Sequence, residues 1–101
     1  MALSEFMQID SIRHKALRTF AETGKPKGLP GNLIGRVRNM LVYLDAIQAP
    51  DELRAPPNFG AHQLTGDRSG TWSLFVTKNW RMTFRVNQAL SIEDMDLEDY
   101  Q

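Results

Sequence analysis

The 101-residue sequence has no cysteine. That excludes a disulfide framework, a thiolate metal site and cysteine nucleophile chemistry, so packing must hold the fold together. No apolar run approaches the roughly 18 residues of a membrane span, and Met1–Phe6 has neither the basic start nor the long apolar stretch of a signal peptide. A cytoplasmic protein with no membrane partner is the expectation. Glycine-rich nucleotide loops are missing as well, because neither G-x-x-x-x-G-K-[ST] nor G-x-G-x-x-G occurs.

Net charge is also missing, with 12 basic and 12 acidic residues. The average hides a division. From Ser11 to Met40 seven basic residues stand against Glu22 alone, and from Arg54 to Arg85 five stand against Asp67 alone. The acids Glu93, Asp94, Asp96, Glu98 and Asp99 gather at the other end. Local potential steers a polyanion more than net charge does, so a phosphate-holding surface is compatible with this pattern, as are ordinary solvated helix faces.

What is present is one core's worth of apolar residues, 42% of the chain, consistent with a single domain over 1–101. Apolar alternation near Met7–Ile12 fits a first strand or the lead-in to a helix, and the strand is the preferred reading. Ala16, Leu17, Phe20 and Ala21 recur at helical spacing up to the stop at Gly24. After a proline- and glycine-rich loop, Leu33, Val37, Met40, Leu41, Leu44 and Ile47 predict a longer helix, with Asn32 as its N-cap and an end near Ala49–Pro50. Beyond Gly60 the period becomes two. Strands are expected at about Ala61–Thr65, through Trp72–Val76, through Trp80–Val86 and over Glu93–Tyr100, with Lys78-Asn79 as a hairpin turn. Helices grouped before a meander imply an α+β fold, two helices packed on one face of a mainly antiparallel sheet and the other face left for chemistry.

Three motifs then fall in order: His62-Gln63-Leu64-Thr65-Gly66-Asp67-Arg68-Ser69-Gly70-Thr71-Trp72-Ser73, Asn79-Trp80-Arg81-Met82-Thr83-Phe84, and the closing Asp99-Tyr100. They resemble the HigB toxins of the RelE/ParE superfamily, whose motifs read approximately H-x-L-K-G-D-R-x-G-x-W-S, N-W-R-[IV]-T-F and D-Y-H. Ile12–Leu17, Phe20 and Glu22-Thr23-Gly24 are similar to the family's first helix. The resemblance runs from Met7 to the end, which marks residues 1–6 as an expected extension. It implies a type II toxin that cleaves messenger RNA on the ribosome through 2′-hydroxyl attack on the adjacent phosphate. It further implies silencing by a helix-turn-helix, HigA-like antitoxin, with operator DNA bound only through that antitoxin and no cofactor.

Such cleavage needs a proton acceptor, a proton donor for the departing 5′-oxygen and cations for the phosphorane. The resemblance assigns catalysis to His62, Arg81, Asp99 and Tyr100; Arg68 and Lys78 are candidates for RNA or phosphate binding, and Gln101 is able to hold a phosphate oxygen or base edge. Without the motif, each has an ordinary structural reading: a surface histidine, a strand ion-pair partner, a hydrogen-bonded turn, a solvated chain end. Trp72 and Trp80 lie on the apolar phases of their strands and are expected in the core, and His14 is expected to be structural. No metal site is expected from Asp94, Asp96 and Glu98, since acids at alternate strand positions usually make a solvated face. Two positions depart from the family. Thr65 stands where lysine is common, and Gln101 replaces the closing histidine, removing a group that titrates between pH 5 and 8. The same fold also serves gyrase-poisoning ParE proteins, and a toxin that has lost cleavage but still binds its antitoxin is a third reading.

Overall fold

The computed structural model describes residues 6–99. Helix α1 covers Lys15–Thr23 and α2 covers Ile34–Ala46. The strands are β1 (His62–Gln63), β2 (Thr71–Thr77), β3 (Trp80–Val86) and β4 (Ile92–Asp99). They form one antiparallel sheet in the order β1-β2-β3-β4. This is the expected α+β arrangement. Among the described residues no helix is long and apolar enough to cross a membrane.

Helix α1 begins and ends where its sequence dictates. His14 is its N-cap, the ring Nδ1 accepting the Leu17 N–H at 3.1 Å, which satisfies one of the orphan donors of the first turn. Gly24 closes it in the left-handed region at φ 77°, its N–H donating to the Phe20 carbonyl at 2.8 Å. Leu17 and Phe20 carry the buried stripe.

Helix α2 starts differently from the expectation. Asn32 does not cap it, because the chain enters through a 3₁₀ turn at Gly31–Leu33. There the Pro30 and Gly31 carbonyls accept the Leu33 and Ile34 N–H groups, doing what a side-chain cap would do. The helix also stops earlier, at Ala46, and Ile47 turns extended. The Glu52 carboxylate accepts the Gln48 and Ala49 N–H groups at 2.7 and 3.0 Å, while the freed Ile47 carbonyl takes the Met7 N–H. These partners stabilise the extended path ahead of Pro50.

The expected first strand is an interrupted edge. Residues 8–13 run parallel to β4, bonded through Asp10 N–H to Ile92 O, Ile92 N–H to Gln8 O, Met95 N–H to Ser11 O and Arg13 N–H to Met95 O. The ladder breaks at Asp94, a non-glycine residue at φ 56°, whose N–H is taken by Ser11 Oγ at 2.8 Å. The β3–β4 register shifts at the same place, so Arg85 pairs with Glu93 but Thr83 with Asp96. The extra residue lets both Ile92 and Met95 point into the core, which strict alternation would forbid.

One sheet face is the core wall. Trp72, Leu74, Val76, Met82, Phe84, Met95 and Leu97 bury against Leu17, Val37, Met40 and Leu44 of the helices. Trp80 is half-buried at the margin of that core rather than inside it, because its strand begins there at the hairpin. Arg36 of α2 ties the layers together: its guanidinium donates to the carbonyls of Val76, Phe75 and Asn58 at 3.3, 2.9 and 2.6 Å and lies over the Phe59 ring. Among the described residues neither α1 nor α2 packs on the opposite sheet face.

Candidate functional site

Strand pairing decides which side chains share the bare face. His62 pairs with Ser73, Ser73 with Thr83 and Thr83 with Asp96, giving one cross-strand row. The next row on the same face is Phe75, Arg81 and Glu98. Directly opposed residues sit about 4.5–5.5 Å apart at Cβ and diagonal ones about 7–8 Å. His62 and Arg81 are therefore brought onto one surface.

Arg81 is held at the hairpin end of this face. Its Nη1 donates to the carbonyl oxygens of Thr77 at 2.7 Å and Trp80 at 3.1 Å, and its Cζ lies 4.8 Å from the centroid of the Phe75 ring. An arginine oriented through both a carbonyl pair and a π face loses little further entropy when it meets a phosphate. The tight Lys78-Asn79 turn exposes Lys78 at the same end. His62 is exposed, with Nδ1 3.0 Å from the Gly60 carbonyl. In the tautomer that donates from Nδ1, the Nε2 lone pair is the proton-accepting site.

Arg68 has another engagement. From the 3₁₀ turn Gly66–Arg68 it forms a two-pronged pair with Glu98, Nη1 to Oε1 at 3.0 Å and Nη2 to Oε2 at 2.5 Å, and Thr83 Oγ1 donates to the same carboxylate. The Arg68 hydrogen bonds hold the Glu98 carboxyl below its ordinary range; partial burial opposes this, and Thr83 together with the Arg68 and Arg13 charges adds to it. Arg68 in turn is raised, chiefly by its bond to Glu98. A small cavity of about 160 Å³ beside this pair is lined by Arg13, Arg68 and Arg85 together with Asp67 and Asp94. Cations here are matched by carboxylates.

Asp99 pairs with Trp80, which puts it on the phase of Met95 and Leu97 rather than that of His62 and Arg81. Tyr100 and Gln101 lie outside the described residues. Glu98 and Phe75 are the members of the bare face that motif reading passed over. Phe75 was detectable by counting in twos from Ser73, whereas Glu98 needed the β3–β4 register. Among the described residues no three histidine or acidic side chains are grouped as metal ligands would be.

Fold and face together define a small α+β protein with a helix-covered sheet, one bare surface and an imidazole, an aromatic ring and an oriented guanidinium in adjacent rows. The family model described as RelE-like toxin of type II toxin-antitoxin system HigB matches residues 10–99. The chain belongs to this HigB-like toxin family. It is 36% identical over 93 residues to an endoribonuclease HigB of Proteus vulgaris, covering 91% of this chain and 98% of that protein. The backbone is also similar to a YoeB/ParE toxin from Agrobacterium tumefaciens, with a TM-score of 0.56 over 94% of this chain and 99% of that one. At 14% identity this is a likeness of fold.

Proposed function

We propose that this chain is a ribosome-dependent messenger-RNA endoribonuclease, the toxin of a type II pair, neutralised by a helix-turn-helix antitoxin through which alone it would reach operator DNA. The observation that carries the reading is the presence of His62 and Arg81 in adjacent rows of the sheet face turned away from the helices, in a chain 36% identical to an endoribonuclease. The reaction balances without a cofactor. A 2′-hydroxyl loses its proton to His62 Nε2, its oxygen bonds to the neighbouring phosphorus, and the phosphorus–O5′ bond breaks, leaving a 2′,3′-cyclic phosphate and a 5′-hydroxyl. Arg81 offsets the charge that grows on the phosphorane, the stage at which a preoriented donor is worth most. The 5′-oxygen takes its proton from the Asp99-Tyr100-Gln101 end. Of the two last residues Tyr100 carries an ionisable hydroxyl to give, whereas a glutamine amide is no acid. Lys78 lends positive charge along the backbone of the message, and Arg68 contributes there only by exchanging Glu98 for a phosphate.

Primer extension of a translated message after induction, with the wild-type chain and Arg81→Ala side by side, tests this. Cuts in phase with codons that vanish in the variant are expected. Gyrase-dependent DNA breaks with intact messages would overturn it.

A further inference from the structure

Phe75 stands out among the side chains of the bare face. It occupies the polar phase of β2, between Ser73 and Thr77, and keeps 39% of its surface exposed where the strand's other large apolar residues are buried. Among the described residues Phe75 belongs neither to the buried core nor to the side chains packed against it.

Its surroundings are specific. On the β3 side the Arg81 guanidinium lies over the ring at 4.8 Å. On the β1 side its neighbour is Gly60, in the left-handed region at φ 52°; even a Cβ placed there would come within 3.6 Å of the Phe75 Cβ. Glycine puts no side chain beside Phe75 on that flank. His62, two residues beyond Gly60, stands diagonally across from Phe75. The ring is thus bracketed by the two groups to which the proposed cleavage assigns proton transfer and phosphate stabilisation.

We propose that Phe75 is the stacking platform for the nucleobase next to the scissile phosphate, a proposal that rests on the RNA-cleaving reading of the same face. A nucleotide presents a flat π surface and an anion within one unit, and the Phe75–Arg81 pair presents a π face and a cation in the same juxtaposition. Single-stranded RNA is commonly recognised in this way, bases splayed onto aromatic or guanidinium planes while the backbone meets cations. Stacking is tolerant of base identity, so Phe75 anchors the strand more than it selects a sequence. By holding one base flat against β2, it fixes the adjoining ribose between His62 and Arg81. Losing that hold would raise the half-saturating substrate concentration more than it lowers the maximal rate.

The test uses an uncleavable 2′-O-methyl RNA oligonucleotide carrying 2-aminopurine, whose fluorescence is quenched when the base stacks. The wild-type chain, Phe75→Leu and Phe75→Tyr are titrated against it after thermal melts show that all three fold. Quenching by wild type and by Phe75→Tyr, with affinity reduced about 5-fold or more in Phe75→Leu, is expected from a stacking contribution of about 1–3 kcal/mol per base. Equal quenching by the leucine variant, no quenching by wild type, or loss of antitoxin binding with quenching unchanged would each overturn the platform. Because the oligonucleotide is never cut, Phe75-dependent quenching in a chain that cleaves no message would support stacking while sinking the nuclease reading.

Discussion

Glu98 accepts both prongs of the Arg68 guanidinium, at 3.0 and 2.5 Å, and so fastens the last strand to the turn that leads into β2. The same carboxylate takes the Thr83 hydroxyl of β3 between them. Three segments far apart in the chain meet at one anion.

That pairing makes a pH-dependent contribution to stability. The Glu98 carboxyl is lowered from its ordinary value of 4.5, so its contribution is fully present above about pH 4.5 and is lost as the pH falls through the depressed value. Arg68 is half exposed, which limits the pair to about 1 kcal/mol after solvent screening. Glu98→Gln should lower the melting temperature by a few degrees at pH 7 and by less at pH 3. Equal destabilisation at both pH values would show that the charge is not what matters.

His62 is assigned the proton from the 2′-hydroxyl. His62→Ala should reduce cleavage of translated messages by about 10²–10⁴, the usual worth of a general base, while melting temperature and antitoxin affinity stay near wild type. A variant that cuts within 3-fold of wild type would remove His62 from the mechanism.

Gln101 stands where the family's closing motif carries histidine. Gln101→His supplies a group able to exchange a proton near neutral pH, and cleavage in a ribosome assay should rise, by up to about 10². An unchanged rate would mean that the position takes no part in proton transfer.

Arg36 is a basic residue whose work lies inside the molecule. Its guanidinium hydrogen-bonds three backbone carbonyls and lies over Phe59, linking α2 to β2 and to the 3₁₀ turn Pro57–Phe59. Arg36→Ala should destabilise the fold by about 2–3 kcal/mol in chemical denaturation, because carbonyls at the layer junction lose charged donors. A loss below about 0.5 kcal/mol would show that these hydrogen bonds contribute little more than solvent would.

Much of this architecture can be read in the chain itself. Helical spacing around Leu17 and Phe20, and around Val37, Met40 and Leu44, picks out the buried faces because burial and the 3.6-residue turn act locally. Alternation does the same for Trp72–Val76 and Met82–Phe84. The departures are places where a competing hydrogen-bond partner, near or far in the chain, intervenes. Asn32 lost its cap role to neighbouring carbonyls, α2 gave up its last turn to Glu52 and Met7, and the edge strand broke where Ser11 captured the Asp94 N–H.

Residues 62, 81 and 99 were singled out together by motif alone, and motif order carries family membership without carrying a side of the sheet. Register supplied the side, uniting His62 with Arg81 and turning Asp99 to the phase of Leu97. Composition marked Arg36, Arg68 and Arg81 as equal cations, since a charge in a sequence has no partner. The fold gave Arg36 the carbonyls of the layer junction, Arg68 a carboxylate and Arg81 an aromatic ring. Local periodicity is a property of consecutive residues and survives in the sequence. Which arginine faces which neighbour depends on strand register and long-range packing, and only the tertiary structure decides it.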